Sequence, residues 1–275
     1  MVSTMETRPL GRSGLNVPVV GLGTWNVFNV RDAHREARCE AVVTAAIDSG
    51  SSLFDSSPMY GEAERVLALS LAGRRDRAQI ATKVWARTRA QGEQQIEQAL
   101  EWYERVELYQ IHNLLSYDDH LPFLQHLVEA GRVGAIGATH YLPGEMPRLV
   151  ELMKAGDIST VQVPYHPLER TIEDELLPVA KDLDIGVIIM QPFKAGELFK
   201  RAPDPAQLAP LEEFGVRTWA QALLKWILSD ERIHVVIPAT SSPSRMGENA
   251  VAGRGPWFGA EQRDYIAALA VELAG

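Results

Sequence analysis

The sequence predicts an α/β fold, a (β/α)8 TIM barrel preceded by an N-terminal β-hairpin, and three observations carry that prediction. Eight short apolar runs rich in Val and Ile recur along the chain: VPVVGLG, SLFDSS, QIATKVW, VELYQIH, VGAIGAT, TVQVPY, GVIIMQP and HVVIPAT. Runs this apolar suit strands buried on both faces of a parallel sheet. The segments between them repeat apolar residues at the helical period, so strand and helix alternate as βαβ units. Several of these segments stop at glycine, at Gly50, Gly131 and Gly156, where a residue that tolerates positive φ ends the helix before the next strand.

In chain order, ETRPLGRSGLNVPVV places glycine and asparagine between two extended pieces, which predicts a hairpin able to plug the barrel floor. Cys39, Val42, Val43, Ala46 and Ile47 form the buried stripe of the first helix. Ala63, Val66, Leu67, Ser70 and Leu71 form that of the second. The aromatic and methionine residues of YLPGEMPRLVELM fall at helical spacing and read as core. Trp219, Ala222, Leu223, Trp226 and Ile227 repeat the stripe late in the chain. Before them, KAGELFKRAPDPAQLAPLEEFGV is rich in proline and charge and reads as a loop over the active face. A short tail follows the last helical segment. Residues 1–275 are expected to form one domain.

The chain has 46% apolar and 23% charged residues, with 36 acidic against 27 basic side chains and a net charge of -9. No basic run offers a nucleic-acid footprint, and an anionic ligand needs a local cationic pocket. A single cysteine, Cys39, excludes an internal disulfide framework and a cysteine-rich zinc site. The MVSTMETRPLGRSG start lacks a signal-peptide core, and no apolar run spans a bilayer. A cytoplasmic protein is expected, bound neither to membrane nor to nucleic acid.

In such a barrel, catalytic groups gather at the C-terminal ends of strands. Asp55 ends the second barrel strand, Lys83 lies near the end of the third and His112 ends the fourth, while Tyr60 follows on the loop after Asp55. This set suits protonation of a carbonyl oxygen while a hydride reaches its carbon. Tyr60 supplies the proton, and a neighbouring Lys83 ammonium is expected to make the phenol more acidic. Asp55 holds Lys83 charged and in place. His112 donates a hydrogen bond to the carbonyl oxygen and orients it. Hydride is not a side-chain reagent, so the scheme requires a nicotinamide cofactor. Trp25, Met59 and Trp85 read as apolar walls of a substrate pocket completed by Tyr60 and His112.

These residues lie in motifs that resemble the aldo-keto reductases over nearly the whole chain. GLGTW runs from Gly21 to Trp25, Asp55 is followed directly by SSPMYGEAE, and the lysine and histidine strands read IATKVW and LYQIHN. VQVPYHPLER from Val161 and IPATSSPSRMGEN from Ile237 follow in family order. The resemblance implies an NADPH-dependent oxidoreductase of the carbonyl reductase type, with NADH a possible substitute, acting as a monomer on a small carbonyl compound. It implies cofactor contacts from Gly23, Thr24, Trp25 and Asp55, from Thr139, His140 and Gln162 at the nicotinamide carboxamide, and from Met190, Gln191 and Pro192 beside the ring. At the adenosine end it implies Ala239, Thr240, Ser241 and Ser242, with Arg245 on the 2′-phosphate and Glu248 and Asn249 on the adenine.

The chain departs from familiar members at three of these points. Thr139-His140 replaces Ser-Asn, Met190 replaces a stacking tyrosine, and Ala239 stands where many members carry a lysine beside the 2′-phosphate. Other readings are a redox-sensing protein that binds NADPH and docks to a partner, a metal site at His112, His140 and His166, and a phosphate-binding isomerase. The histidines lack carboxylate or cysteine companions at ligand spacing. The isomerase needs a Gly-rich phosphate loop after the seventh strand, where this chain has QPFKAGE.

Overall fold

The computed structural model describes residues 4–275, so the first three residues of the opening segment lie outside it. Strands β1 (Thr7–Pro9) and β2 (Asn16–Pro18) pair antiparallel, with Arg8 opposite Val17. Eight parallel strands follow: β3 (Leu22–Gly23), β4 (Leu53–Asp55), β5 (Gln79–Val84), β6 (Val106–His112), β7 (Val133–Thr139), β8 (Thr160–Pro164), β9 (Gly186–Met190) and β10 (Val235–Val236). Each pairs with its sequence neighbour, and bridges from Val20 to Val236 and from Gly23 to Ala239 join the first strand to the last. The barrel is closed, so no strand edge is left unpaired.

Strand alternation divides the core in two. Leu53, Ala81, Leu108, Ala135, Ile188, Val235 and Ile237 face inward and pack with Leu10 and Val17 of the hairpin region. The hairpin therefore plugs the floor. Glycine permits the close fit, because a Cβ on Gly186 would lie 2.7 Å from Leu10 Cγ. Outward residues such as Phe54, Ile80, Tyr109 and Ile111 pack under the helices. Two positions further along three strands, the inward face turns polar: Leu53 gives way to Asp55, Ala81 to Lys83, and Leu108 to Gln110 and then His112. The same period that builds the apolar floor thus carries the polar groups to the rim.

Between the strands run α1 (Ala33–Asp48), α2 (Ala63–Ser70), α3 (Arg89–Tyr103), α4 (Tyr117–Glu129), α5 (Met146–Ala155), α6 (Leu176–Asp182), α7 (Pro205–Leu208), α8 (Trp219–Leu228), α9 (Pro243–Val251) and α10 (Ala260–Ala274). The expected stripe residues are buried in α1 and α8, and in α2 with Leu71 just beyond its end. Side chains of Asp32, Thr88, Thr218 and Ser242 accept from backbone N–H groups and cap α1, α3, α8 and α9. Gly50, Gly131 and Gly156 all take positive φ just past helix ends.

The stretch before α8 differs from the expected loop. It contains 3₁₀ turns at Lys194–Phe199 and Ala209–Phe214, with α7 between them. Asp204 and Gln207 form a capping box around Pro205, which makes a short helix from a proline-rich sequence. Trp219 Nε1 donates to Leu198 O and ties the stretch to α8. Among the described residues, no helix is long and apolar enough to cross a membrane.

Candidate active site

The inward rim positions converge on one ion pair. Lys83 Nζ lies 2.6 Å from Asp55 Oδ2 and donates a second bond, 2.8 Å, to Ser56 O. Both side chains are buried, at 0% and 4% exposure. Asp55 Oδ1 accepts from Gln162 Nε2 at 2.8 Å and from Gln110 Nε2 at 3.2 Å. Three donors therefore hold one carboxylate, which is the condition for keeping charge in a barrel interior. The ammonium sits 5.3 Å from the centroid of the Tyr60 ring, and Tyr60 meets His112 edge-on at 5.8 Å. The four residues read from the sequence share one site.

Tyr60 reaches the site because Ser57 caps the 3₁₀ turn Pro58–Tyr60, its hydroxyl accepting from Met59 N. The same hydroxyl lies 2.8 Å from His112 Nδ1. A Ser57 hydroxyl that donates to Nδ1 leaves the ring proton on Nε2, the tautomer with a donor free for a carbonyl oxygen. Burial, the Lys83 charge and His140 push His112 down to about 3. It is a neutral imidazole with one donor, suited to polarising a carbonyl across the physiological pH range.

The electrostatics of Tyr60 correct one expectation. Burial raises the phenol above its ordinary value, and Asp55 raises it further, while Lys83 pulls in the opposite direction without prevailing. Burial is the largest cause, and Asp55, 2.6 Å from the ammonium, opposes part of what Lys83 does. Tyr60 therefore holds its proton throughout the neutral range. Burial depresses the Lys83 ammonium, yet Asp55 and Tyr60 together keep it above its usual value.

The expected cofactor residues follow the rim. Thr24 is buried and its hydroxyl donates to Asp55 O and meets Ser56 Oγ. Thr139 ends β7 and accepts from Asn113 N. His140 Nδ1 accepts from Leu142 N, and its ring stacks on Tyr141 at 5.7 Å. Met190 ends β9, and Gln191 and Pro192 follow it. Trp25, Met59 and Trp85 are 39%, 42% and 42% exposed, as side chains open to an incoming ligand are.

At the far end, Ala239 pairs with Gly23, and Thr240 Oγ1 accepts from Ser242 N. Ser242 is spent on capping α9, where it accepts from Arg245 N and meets Ser244 Oγ. Glu248 accepts from Thr218 Oγ1 instead of pairing with Arg245, and Asn249 is buried in α9. Ser241 O accepts from Arg38 Nε. Among the described residues, neither Arg245 nor Arg38 pairs with a carboxylate.

A nicotinamide cofactor fits these residues on one further observation. Gln162 donates to Asp55, while its buried Oε1 has no hydrogen-bond partner among the described residues. An unpaired buried acceptor is costly, and a carboxamide N–H is a group able to satisfy it. Sequence reasoning missed Ser57, Gln110 and Glu64. Gln110 was legible in principle, two positions before His112 on the same strand face; Ser57 and Glu64 had no signal beyond lying in the same segment as Asp55 and Tyr60.

Comparison with known proteins supplies the family. A profile of the Aldo/keto reductase family matches residues 19–270. The chain belongs to that family. Methylglyoxal reductase YeaE of Escherichia coli is 26% identical over 257 residues, covering 90% of this chain and 89% of that protein. Aldo-keto reductase YhdN of Bacillus subtilis is 26% identical over 205 residues, a match spanning 67% of this chain and 61% of the relative. Among solved structures, an aldo-keto reductase from Klebsiella pneumoniae in complex with NADPH superposes with a TM-score of 0.79 at 25% identity, covering 98% of this chain and 95% of the other. Members of the family use nicotinamide cofactors.

Proposed function

We propose that this chain reduces an aldehyde or ketone to an alcohol, with NADPH as hydride donor and Tyr60 as proton donor. The observation that carries the reading is the buried Asp55–Lys83 pair beside Tyr60, with a neutral His112 facing the same space. The cofactor, when bound, supplies a hydride to the carbonyl carbon. Everything else belongs to the side chains. His112 Nε2 donates to the carbonyl oxygen and fixes its direction. As the oxygen gains charge it becomes a stronger base than a phenolate, so the Tyr60 proton moves to it even though the phenol is held above its ordinary value. The Lys83 ammonium then faces the phenolate until solvent returns a proton.

In this reading Gln162, Thr139 and His140 hold the carboxamide, Met190 packs on the ring, and Arg245 takes the 2′-phosphate. The names of the relatives support a carbonyl substrate, since YeaE is described as a methylglyoxal reductase and another relative, 26% identical over 321 residues, as an L-glyceraldehyde 3-phosphate reductase. The protein mixed with NADPH and a panel of aldehydes and ketones is expected to oxidise the cofactor. Cofactor binding without turnover of any of them removes the reductase reading in favour of a redox-sensing one.

Arg245→Ala tests the cofactor assignment. A lost charge-assisted phosphate bond is worth about 1.5–3 kcal/mol, so NADPH binding should weaken roughly tenfold to a hundredfold. NADH, which lacks that phosphate, should bind as before. Quenching of the rim tryptophans reads both affinities, and an equal loss for the two cofactors places Arg245 elsewhere than the 2′-phosphate.

A further inference from the structure

We propose that Glu64 sets the pH dependence of the reduction: in its neutral form it permits proton donation by Tyr60, and in its ionised form, placed behind Lys83, it suppresses it. The inference rests on the carbonyl reductase reading. Glu64 does not touch the reacting atoms and acts through Lys83 as a positioning residue.

Glu64 stands at the second position of α2, four residues after Tyr60, and is 4% exposed. Its carboxyl turns toward the outer face of β5, where Oε1 lies 2.5 Å from Thr82 Oγ1. Lys83, the next residue, points into the barrel. A carboxyl and the tetrad ammonium thus occupy opposite faces of one strand at neighbouring positions.

The groups around Glu64 leave its charge poorly compensated. From β5 it meets Thr82, and through the sheet it feels the charges of Lys83 and, on β4, Asp55. From α3 comes Tyr103, whose hydroxyl donates 2.7 Å to the main-chain oxygen of Glu64 and not to its carboxyl. From β6 comes Tyr109, whose buried hydroxyl has no hydrogen-bond partner among the described residues. Burial holds both phenols well above their ordinary value, so they remain neutral. The nearby arginine of α2, Arg65, is committed to Glu36 and Glu62. Arg87, exposed, lines the same groove as Glu64.

Burial raises the Glu64 carboxyl to about 7, against the pull of the Thr82 bond and of Lys83 and with a further push from Asp55. The group therefore changes charge within the working range of an intracellular or extracellular enzyme alike. Proton exchange has a route to water: a groove of about 660 Å³, open to solvent, reaches Glu64 past Pro58, Gly61, Trp85 and Leu115. Ionised, Glu64 adds a second negative charge beside the ammonium and weakens the field that Lys83 applies to Tyr60. Tyr60 has no acidity in reserve, because burial already holds it high.

The experiment is the pH profile of kcat at saturating NADPH, from about pH 5 to about pH 9, for the wild type, Glu64→Gln and Thr82→Val. The wild-type rate should fall roughly three- to tenfold across neutrality, the size of one charge acting at this range. Glu64→Gln should abolish that fall and keep the acid-side rate on the alkaline side. Thr82→Val, which removes a bond that favours the ionised form, should move the inflection to higher pH. NADPH affinity should be unchanged in both.

Melting temperature gives a readout independent of turnover. A carboxyl raised from 4.5 to about 7 holds a proton that the unfolded chain has released in that window. Stability conferred by its neutral form is thus lost as pH rises through the window, and Glu64→Gln should gain melting temperature over wild type above it but not below. An inflection that persists in Glu64→Gln, or stays in place in Thr82→Val, overturns the inference while leaving the reductase intact. Absence of turnover in all three proteins overturns both.

Discussion

Tyr60→Phe should lower kcat by about two to four orders of magnitude, the usual contribution of a positioned general acid, while NADPH binds as before. The substitution removes one oxygen and keeps the ring that meets His112 edge-on at 5.8 Å. The substrate cleft therefore keeps its wall, and KM should change little. The remaining rate reports what His112 and the bound cofactor achieve without a nearby proton. Because burial holds the phenol high, the wild-type proton is present through the neutral range, and the loss should follow the wild-type pH profile, largest on the acid side. Turnover at wild-type rates in Tyr60→Phe transfers the donor role to another group, with His112 first in line.

Lys83→Met should be the most damaging single change to the fold near the site. It leaves Asp55, at 3% exposure, without the ammonium 2.6 Å away and with only two neutral amides for company. Removing one partner of a buried pair costs about 3–5 kcal/mol. Urea denaturation with an unchanged slope measures it. Adding Asp55→Asn to Lys83→Met should recover much of the loss, because the stranded charge goes with it. Both proteins should be inactive, the double variant by loss of the ammonium alone. A single variant as stable as wild type means that Asp55 finds compensation that Gln110 and Gln162 do not explain.

The barrel and the tetrad were legible for a common reason. A strand buried on both faces and a helix with one apolar stripe each leave a periodic trace, and the stripe residues of α1, α2 and α8 lie where that trace puts them. Asp55, Lys83 and His112 interrupt apolar runs at their C-terminal ends, which in a barrel is a position of chemical meaning. The loop before α8 was less legible, since proline and charge mask the capping box of Asp204 and Gln207. Energetic balance was illegible altogether. That Lys83 makes Tyr60 more acidic is sound pairwise chemistry, but its outcome depends first on how deeply the hydroxyl is buried, with a smaller opposing push from Asp55. Gln110 and Gln162 illustrate the same limit: two amides far apart in sequence meet on one oxygen only after the barrel closes.

The hairpin seals one end of the barrel with Leu10 and Val17, so that solvent, ligand and product all share the opposite mouth. Whatever tunes selectivity is then concentrated in the connections above that mouth, while the stopper beneath contributes cohesion and no chemistry. Loop grafts from other members of the family onto this scaffold should therefore redirect which molecule is accepted without disturbing the part of the chain that keeps the cylinder shut.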